Sequence, residues 1–251
     1  MHFTFEDDAM QDEPEPENQK EEHQSYSVYE QAQRYRAAKA VLQDIYALDA
    51  EHAEAVKALE QLWEEGYTVA AHQLGKFYRD DLSTLRDHEK AEEWFRRSAE
   101  AGNDFSEYAL GKLLLTQKRW EEALGWLGKA ADHGNQFARY RLGKIYLAGE
   151  SVPKDVAKAL AYLTASADQG NQFAQYTLGK LYLLGRDVPP DREQAREWLI
   201  RAAAQGNEYA RFFLDHFDQF RDPSVMLAAS KLLHHMSRIF QNNSIPPVNP
   251  A

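Results

Sequence analysis

Apolar positions along the middle of the chain recur at helical spacing, and that pattern itself repeats. Residues 134–147 read GNQFARYRLGKIYL and residues 170–183 read GNQFAQYTLGKLYL. Related stretches are GNDFSEYALGKLLL at 102–115, GYTVAAHQLGKFYR at 66–79, and a terminal GNEYARFFLDHF from 206. Ala138, Leu142 and Tyr146 stand at i, i+4 and i+8, which is one face of a helix. Gly143 lies beside that face, where the missing side chain lets a partner helix come close. Gly149 then ends the helix, Val152-Pro153 turns the chain, and Asp155 is placed to cap a second helix. The next copy repeats this with Gly185, Val188-Pro189-Pro190 and Asp191. The second helix carries Ala159, Tyr162, Ser166 and Ala167, and its counterparts hold Trp94, Trp126 and Trp198 among small residues. One aromatic among several small side chains suits a helix pressed between neighbours.

Two glycine series run in phase. Gly66, Gly102, Gly134, Gly170 and Gly206 are spaced 36, 32, 36 and 36 residues apart, and Gly75, Gly111, Gly143 and Gly179 follow the same rhythm. A period of this size fits two short helices and two turns. It predicts helical hairpins at 66–101, 102–133, 134–169 and 170–205, with a partial copy at 206–221. The second copy lacks the interhelical loop and passes from Leu115 through Thr116-Gln117-Lys118 into Arg119-Trp120. Residues 1–24, acidic and containing Pro14 and Pro16, are expected to be a disordered tail. Residues 25–65 are expected to form a capping hairpin. Its helix over 26–48 uses Ala38, Val41, Leu42 and Ile45, and Asp49 caps a helix over 51–65 that turns Val56, Leu59, Leu62 and Trp63 inward. At the other end, Asp222-Pro223 introduces an expected capping helix over 222–241, with a flexible tail at 242–251.

The order A-x-x-x-L-G-x-x-Y-x-x-G-x-x-V-x-x-D-x-x-K-A-x-x-W-x-x-K-A-A-x-x-G resembles the Sel-1-like repeat, a relative of the tetratricopeptide repeat, over about residues 66–216. The resemblance implies an all-α fold, a right-handed α-α superhelix of helical hairpins with capping helices at both ends. It also implies a non-catalytic adaptor or scaffold that binds a protein or peptide on the concave surface lined by the first helices. The chain departs from the family pattern at the second loop glycine, where it has Ser151 and Asp187, and at Asp81 in the first copy. A looser resemblance links KLLHHMSRIFQNN and the following prolines to segments beside such repeats in conjugative mobilisation relaxases. That would make the chain a repeat module of a DNA-mobilisation assembly.

Charge sharpens this picture. The net charge is −11, of which residues 1–22 hold −8, leaving −3 for the rest. A near-neutral body with an acidic tail argues against direct nucleic-acid binding. There is no cysteine, so the disulfide-stapled secreted members of the family are not the model here. The acidic start has no basic-then-apolar leader pattern, and no long apolar run spans a membrane. A cytoplasmic location is expected. No phosphate-binding glycine loop, H-E-x-x-H motif or nucleophile constellation stands out, so neither a cofactor nor an enzyme is expected; a hydrolase, which the resemblance to some members of the family implies, is the third reading and lacks a nucleophile constellation here. His234 and His235 are adjacent, diverge on a helix, and are read as surface or packing residues.

The candidate binding face is the side of each first helix turned away from its own hairpin partner. There Tyr108, Tyr140, Tyr176 and Phe212 form an expected aromatic column beside Lys76, Lys112, Lys144 and Lys180, with Arg141 at its edge. Aromatic rings next to cations suit an acidic ligand with apolar anchors. The tyrosines also have a structural reading, packing between adjacent first helices. The acidic tail has the charge to compete for the lysine column.

Overall fold

A computed structural model describes residues 17–44, 46–80, 86–150 and 152–218, together with Val225, Ala228, Lys231 and Leu232. Every regular element among them is a helix. In chain order these are α1 (Glu17–Gln43), α2 (Asp49–Glu64), α3 (Val69–Arg79), α4 (His88–Glu100), α5 (Asp104–Thr116), α6 (Trp120–Asp132), α7 (Gln136–Ala148), α8 (Val156–Asp168), α9 (Gln172–Leu184), α10 (Arg192–Ala204) and α11 (Glu208–Asp215). They fall into two compact units, 1–101 and 102–251, divided at a repeat boundary.

In the first unit α1 packs on α2, α2 on α3 and α3 on α4. Val56, Leu59 and Leu62 are buried as expected, as is Ala38 on α1. Three expectations need correction. The first helix begins at Glu17, inside the segment 1–24 expected as a tail, because no proline follows Pro16 and the intervening residues favour helix. It also ends at Gln43 rather than 48. Asp49 does not cap α2 but forms its first turn, where Glu51 accepts a hydrogen bond from the Leu48 N–H at 2.7 Å. The expected helix over 222–241 lies almost wholly outside the described residues, as does the tail beyond it.

In the second unit α5 to α10 form three successive hairpins, and α11 packs on α10 and α9. Asn103, Asn135, Asn171 and Asn207 cap the first helices by accepting from backbone N–H groups at 2.9–3.0 Å. Asp155 and Asp191 cap α8 and α10, as their position after the turn prolines predicts. The turn glycine before each Asn cap sits in the left-handed region, Gly134 at φ 93° for example, where a side chain is strained. The short second loop has no glycine to spare, and Lys118 itself takes a φ of 63°.

The in-helix glycines do something else. A Cβ on Gly143 would lie 2.7 Å from Leu163 Cγ and 3.2 Å from the Ala159 carbonyl oxygen. Gly111 meets Leu127 and Gly179 meets Leu199 at the same 2.7 Å, while in the first unit Gly75 faces the Phe95 ring. Each second helix thus drives one fully buried side chain into the notch of its own first helix. Burying one such leucine is worth about 1.5–3 kcal/mol. Polar bonds join successive repeats, Arg139 Nε donating to the Ala131 carbonyl at 3.0 Å and Gln175 Nε2 to the Ala167 carbonyl at 2.9 Å, while others close a single hairpin, Ser166 Oγ donating to the Gln136 carbonyl at 2.7 Å and Gln169 Nε2 to the Gly134 carbonyl at 2.8 Å.

Two glycine substitutions should therefore move stability in opposite directions. Gly143→Ala overpacks the notch and should cost about 1–3 kcal/mol in denaturant unfolding. Gly125→Ala, on the exposed face of α6 with nothing within 4 Å, should stabilise by up to about 1 kcal/mol.

Candidate functional site

The face of the second unit built by the first helices carries a groove of about 680 Å³. One stripe of α7 supplies Tyr140, Lys144 and Leu147, and one stripe of α9 supplies Phe173, Tyr176, Lys180 and Leu184. Positions at i, i+3 or i+4, and i+7 share a helix face, so the repeat spacing alone aligns these side chains. Tyr209 of α11, Arg186 and Asp187 of the loop after α9, and Lys231 complete the wall.

Its floor is a stack of rings crossing from repeat to repeat. Tyr140 lies 6.2 Å from Phe173 and Tyr176 lies 6.0 Å from Tyr209, both pairs tilted by less than 40°. The preceding repeat makes the same contact, Tyr108 to Phe137 at 6.0 Å. Such pairs stabilise by about 0.5–1.5 kcal/mol beyond burial. The tyrosines therefore do pack between neighbouring first helices. The phenylalanines they touch remain open to solvent, Phe173 being 50% exposed.

The walls are cationic. Burial holds the Lys180 ammonium below the usual lysine range, and the like charges of Lys144, Arg186 and Lys231 push it further down. Asp187, the acidic residue among those lining the groove, is already paired with Lys154. Among the described residues no carboxylate pairs with Lys144, Lys180, Arg186 or Lys231, so a negative group entering here meets positive charge beside aromatic rings.

Four of the nine candidate residues, Tyr140, Lys144, Tyr176 and Lys180, thus come together in one groove. Tyr108 and Lys112 sit one repeat earlier, with the Lys112 ammonium 5.7 Å above the Tyr108 ring. Lys76 belongs to the last turn of α3 in the other unit. Arg141 and Phe212 lie outside the groove lining. Arg141 is a 100° step off the α7 stripe, and its Nε is buried without a hydrogen-bond partner. Phe212 packs on the core around Phe213 and stacks on His216 at 4.4 Å. Phe173 and Tyr209, which the sequence places on the same first-helix face, line the groove beside those four, whereas Arg186 and Lys231 were not among the sequence candidates. Arg186 had a readable signal, because Glu150 occupies its place in the preceding copy. Lys231 had none, since its segment reads as a cap.

Among the described residues there is no cluster of three or more potential metal ligands, and no helix is long and apolar enough to cross a membrane.

Helical hairpins notched by glycine, joined in register and presenting first-helix stripes define a helical-repeat protein of the Sel1 type. The Sel1 repeat model matches residues 68–103, 121–135, 136–171 and 172–207. A Sel1 repeat protein from Oxalobacter formigenes is similar at 32% identity and a TM-score of 0.62, over 72% of this chain and 75% of its own. The chain belongs to the Sel1 repeat family, whose repeats generally mediate contacts between proteins. The fold is shared with a protective antigen of uropathogenic Escherichia coli described as displaying an SLR fold, at 21% identity and a TM-score of 0.65, over 88% of this chain and 50% of that one. An immunity protein from Pseudomonas aeruginosa shares it at 23% identity and a TM-score of 0.51, over 88% and 90% of the two chains. No curated protein matches. These similarities lend no support to the mobilisation-relaxase reading of the C-terminal stretch.

The electrostatics of the groove are testable without a ligand. Replacing Lys144 with glutamine should raise the Lys180 pKa part of the way back, because burial remains while one like charge is gone. Side-chain NMR titration of Lys180 reads this directly. The native state holds the Lys180 proton less tightly than the unfolded chain does. Stability should accordingly rise with pH between the lowered pKa and the ordinary lysine value.

Proposed function

We propose that the chain is a non-catalytic interaction module whose groove over α7, α9 and α11 holds a protein segment with acidic side chains beside apolar anchors. The single observation that carries this is the meeting of Lys144, Lys180, Arg186 and Lys231 over the ring stack of Tyr140, Phe173, Tyr176 and Tyr209. Rings give a ligand's apolar side chains flat surfaces to cover, and the ammonium groups select carboxylates and set the register. A carboxylate placed at Lys180 also relieves the repulsion that its neighbours impose. The reading sets the module to work in the cytoplasm, in keeping with a sequence free of cysteine.

Tyr108, Lys112 and Phe105 continue the same surface one repeat earlier, and they suit the remainder of a segment longer than the groove. Lys76, Arg141 and Phe212 are given no part in the contact.

A synthetic peptide alternating glutamate and phenylalanine should bind the full chain, and fluorescence anisotropy reads the affinity. The double variant Lys144→Glu/Lys180→Glu should weaken binding by at least about tenfold while leaving the helical content unchanged. Affinity should fall as pH rises through the lowered Lys180 pKa, because the ammonium is lost. Lys180→Gln should remove that part of the pH dependence. Undiminished binding by the double variant would rule out the groove.

A further inference from the structure

Several cations of the second unit stand beside an opposite charge or an aromatic ring. Arg119 pairs with Glu122, Lys158 with Asp155 and Lys154 with Asp187, and the Lys129 ammonium lies 4.1 Å from the centroid of the Trp126 ring. The groove over α7, α9 and α11 departs from this habit. Lys144, Lys180, Arg186 and Lys231 line it together, and among the described residues no carboxylate pairs with any of the four. They are near enough to feel one another, since Lys144, Arg186 and Lys231 each act on the Lys180 ammonium as a like charge. Asp187 lines the same groove, but Lys154 engages it.

Like charges gathered in one place cost energy until an anion sits among them. A carboxylate brings one negative charge. Two carboxylates bring two, but they repel each other and each must be placed separately. A phosphoryl group brings about −1.5 to −2 at neutral pH, with three acceptor oxygens on one centre. A guanidinium such as that of Arg186 takes two such oxygens side by side, and lysine ammonium groups serve the third as point charges. The groove also offers apolar surface next to its cations. Tyr176 stands one helical turn before Lys180 on α9, and the Phe173 ring, 50% exposed, lines the same space. That surface suits the residues flanking a phosphate in a protein segment, and a free phosphate has no use for it.

We infer that the partner held by this groove is a phosphorylated protein segment, its phosphoserine or phosphothreonine seated among Lys144, Lys180, Arg186 and Lys231 with apolar neighbours on the rings. The inference rests on the groove reading above and names its ligand more closely. It also makes the contact switchable, because adding or removing the phosphate on the partner sets whether the four cations are satisfied.

The test titrates the full chain with three labelled probes, read by fluorescence anisotropy. The first is the peptide alternating glutamate and phenylalanine. In the second, one central glutamate of that peptide is replaced by phosphoserine. The third is the phosphopeptide with alanine in place of every phenylalanine. The phosphopeptide should bind at least about tenfold more tightly than its parent at neutral pH. That ratio should shrink as pH falls through the second phosphate ionisation, at about pH 6, where the group drops to a single charge. Any change in the protonation of Lys180 is common to both peptides, so the ratio isolates the phosphate. Arg186→Gln/Lys231→Gln should bring the ratio most of the way to one, with helical content unchanged. A ratio near one in the wild type, with the parent peptide bound, overturns the inference and leaves the groove reading standing. A ratio that the double variant does not move overturns the seat assigned to the phosphate. Equal binding of the alanine phosphopeptide overturns the partner, because the groove then takes phosphate from any source. If no probe binds, the groove reading itself falls and takes this one with it.

Discussion

Everything in the second unit depends on one close approach repeated down the chain: a leucine of each second helix seated against a glycine of the first. Leu127 on Gly111, Leu163 on Gly143 and Leu199 on Gly179 share the same 2.7 Å geometry to a would-be Cβ. A notch of this kind fixes the axial and rotational setting of the two helices together, because moving either one unseats the leucine. Once the rotational setting is fixed, Tyr140, Lys144 and Leu147 are held in one stripe along the groove, with Tyr140 and Leu147 also resting on the core around Leu163 and Leu178. The stripe that lines the groove is a consequence of the core and needs no separate device to orient it.

Stacking turns a stripe into a groove. Polar bonds such as Arg139 to Ala131 and Gln175 to Ala167 hold consecutive repeats at one offset. That offset lays Tyr140 on Phe173 and Tyr176 on Tyr209. The tyrosines therefore spend one face on the neighbouring repeat, and the rest of their surface lines the groove. Charge accumulates because a lysine at a repeated position meets its own copies: burial is the larger cause of the lowered Lys180 pKa, and Lys144 adds to it. The cost of crowding like charges is small while they stay near solvent, and it is released when an anion arrives.

Much of this was legible in the sequence, for physical reasons. Glycine has few roles, so two glycine series in phase could be assigned, one to turns and the other to close contact; the turn glycines take positive φ and the in-helix glycines meet their partner helices closely. The Asp155 and Asp191 caps and the breaks at Gly149 and Gly185 were equally readable. The choice of buried partner was not. Trp126 and Trp198 drew the eye on the second helices, yet Leu127 and Leu199 are the residues fully buried. Adjacent apolar residues differ by only 100° on a helix, and periodicity cannot say which of them meets the notch. The site was half legible for a similar reason. Repeated positions revealed Tyr140, Lys144, Tyr176 and Lys180, whereas Arg186 comes from a loop and Lys231 from a segment with no repeat to compare. Arg141 and Phe212 stand outside the groove lining, Arg141 one helical step off the stripe and Phe212 in the copy at the end of the array.

The central claim is that the first-helix stripe of α7, α9 and α11 is the face this chain offers to a protein segment. Backbone and side-chain NMR shifts of the full chain, followed as the glutamate–phenylalanine peptide is added, test it most directly. The account predicts changes concentrated at Tyr140, Lys144, Phe173, Tyr176, Lys180 and Tyr209, with α8 and α10 silent. Changes centred on α8 and α10, or on the first unit alone, would contradict it.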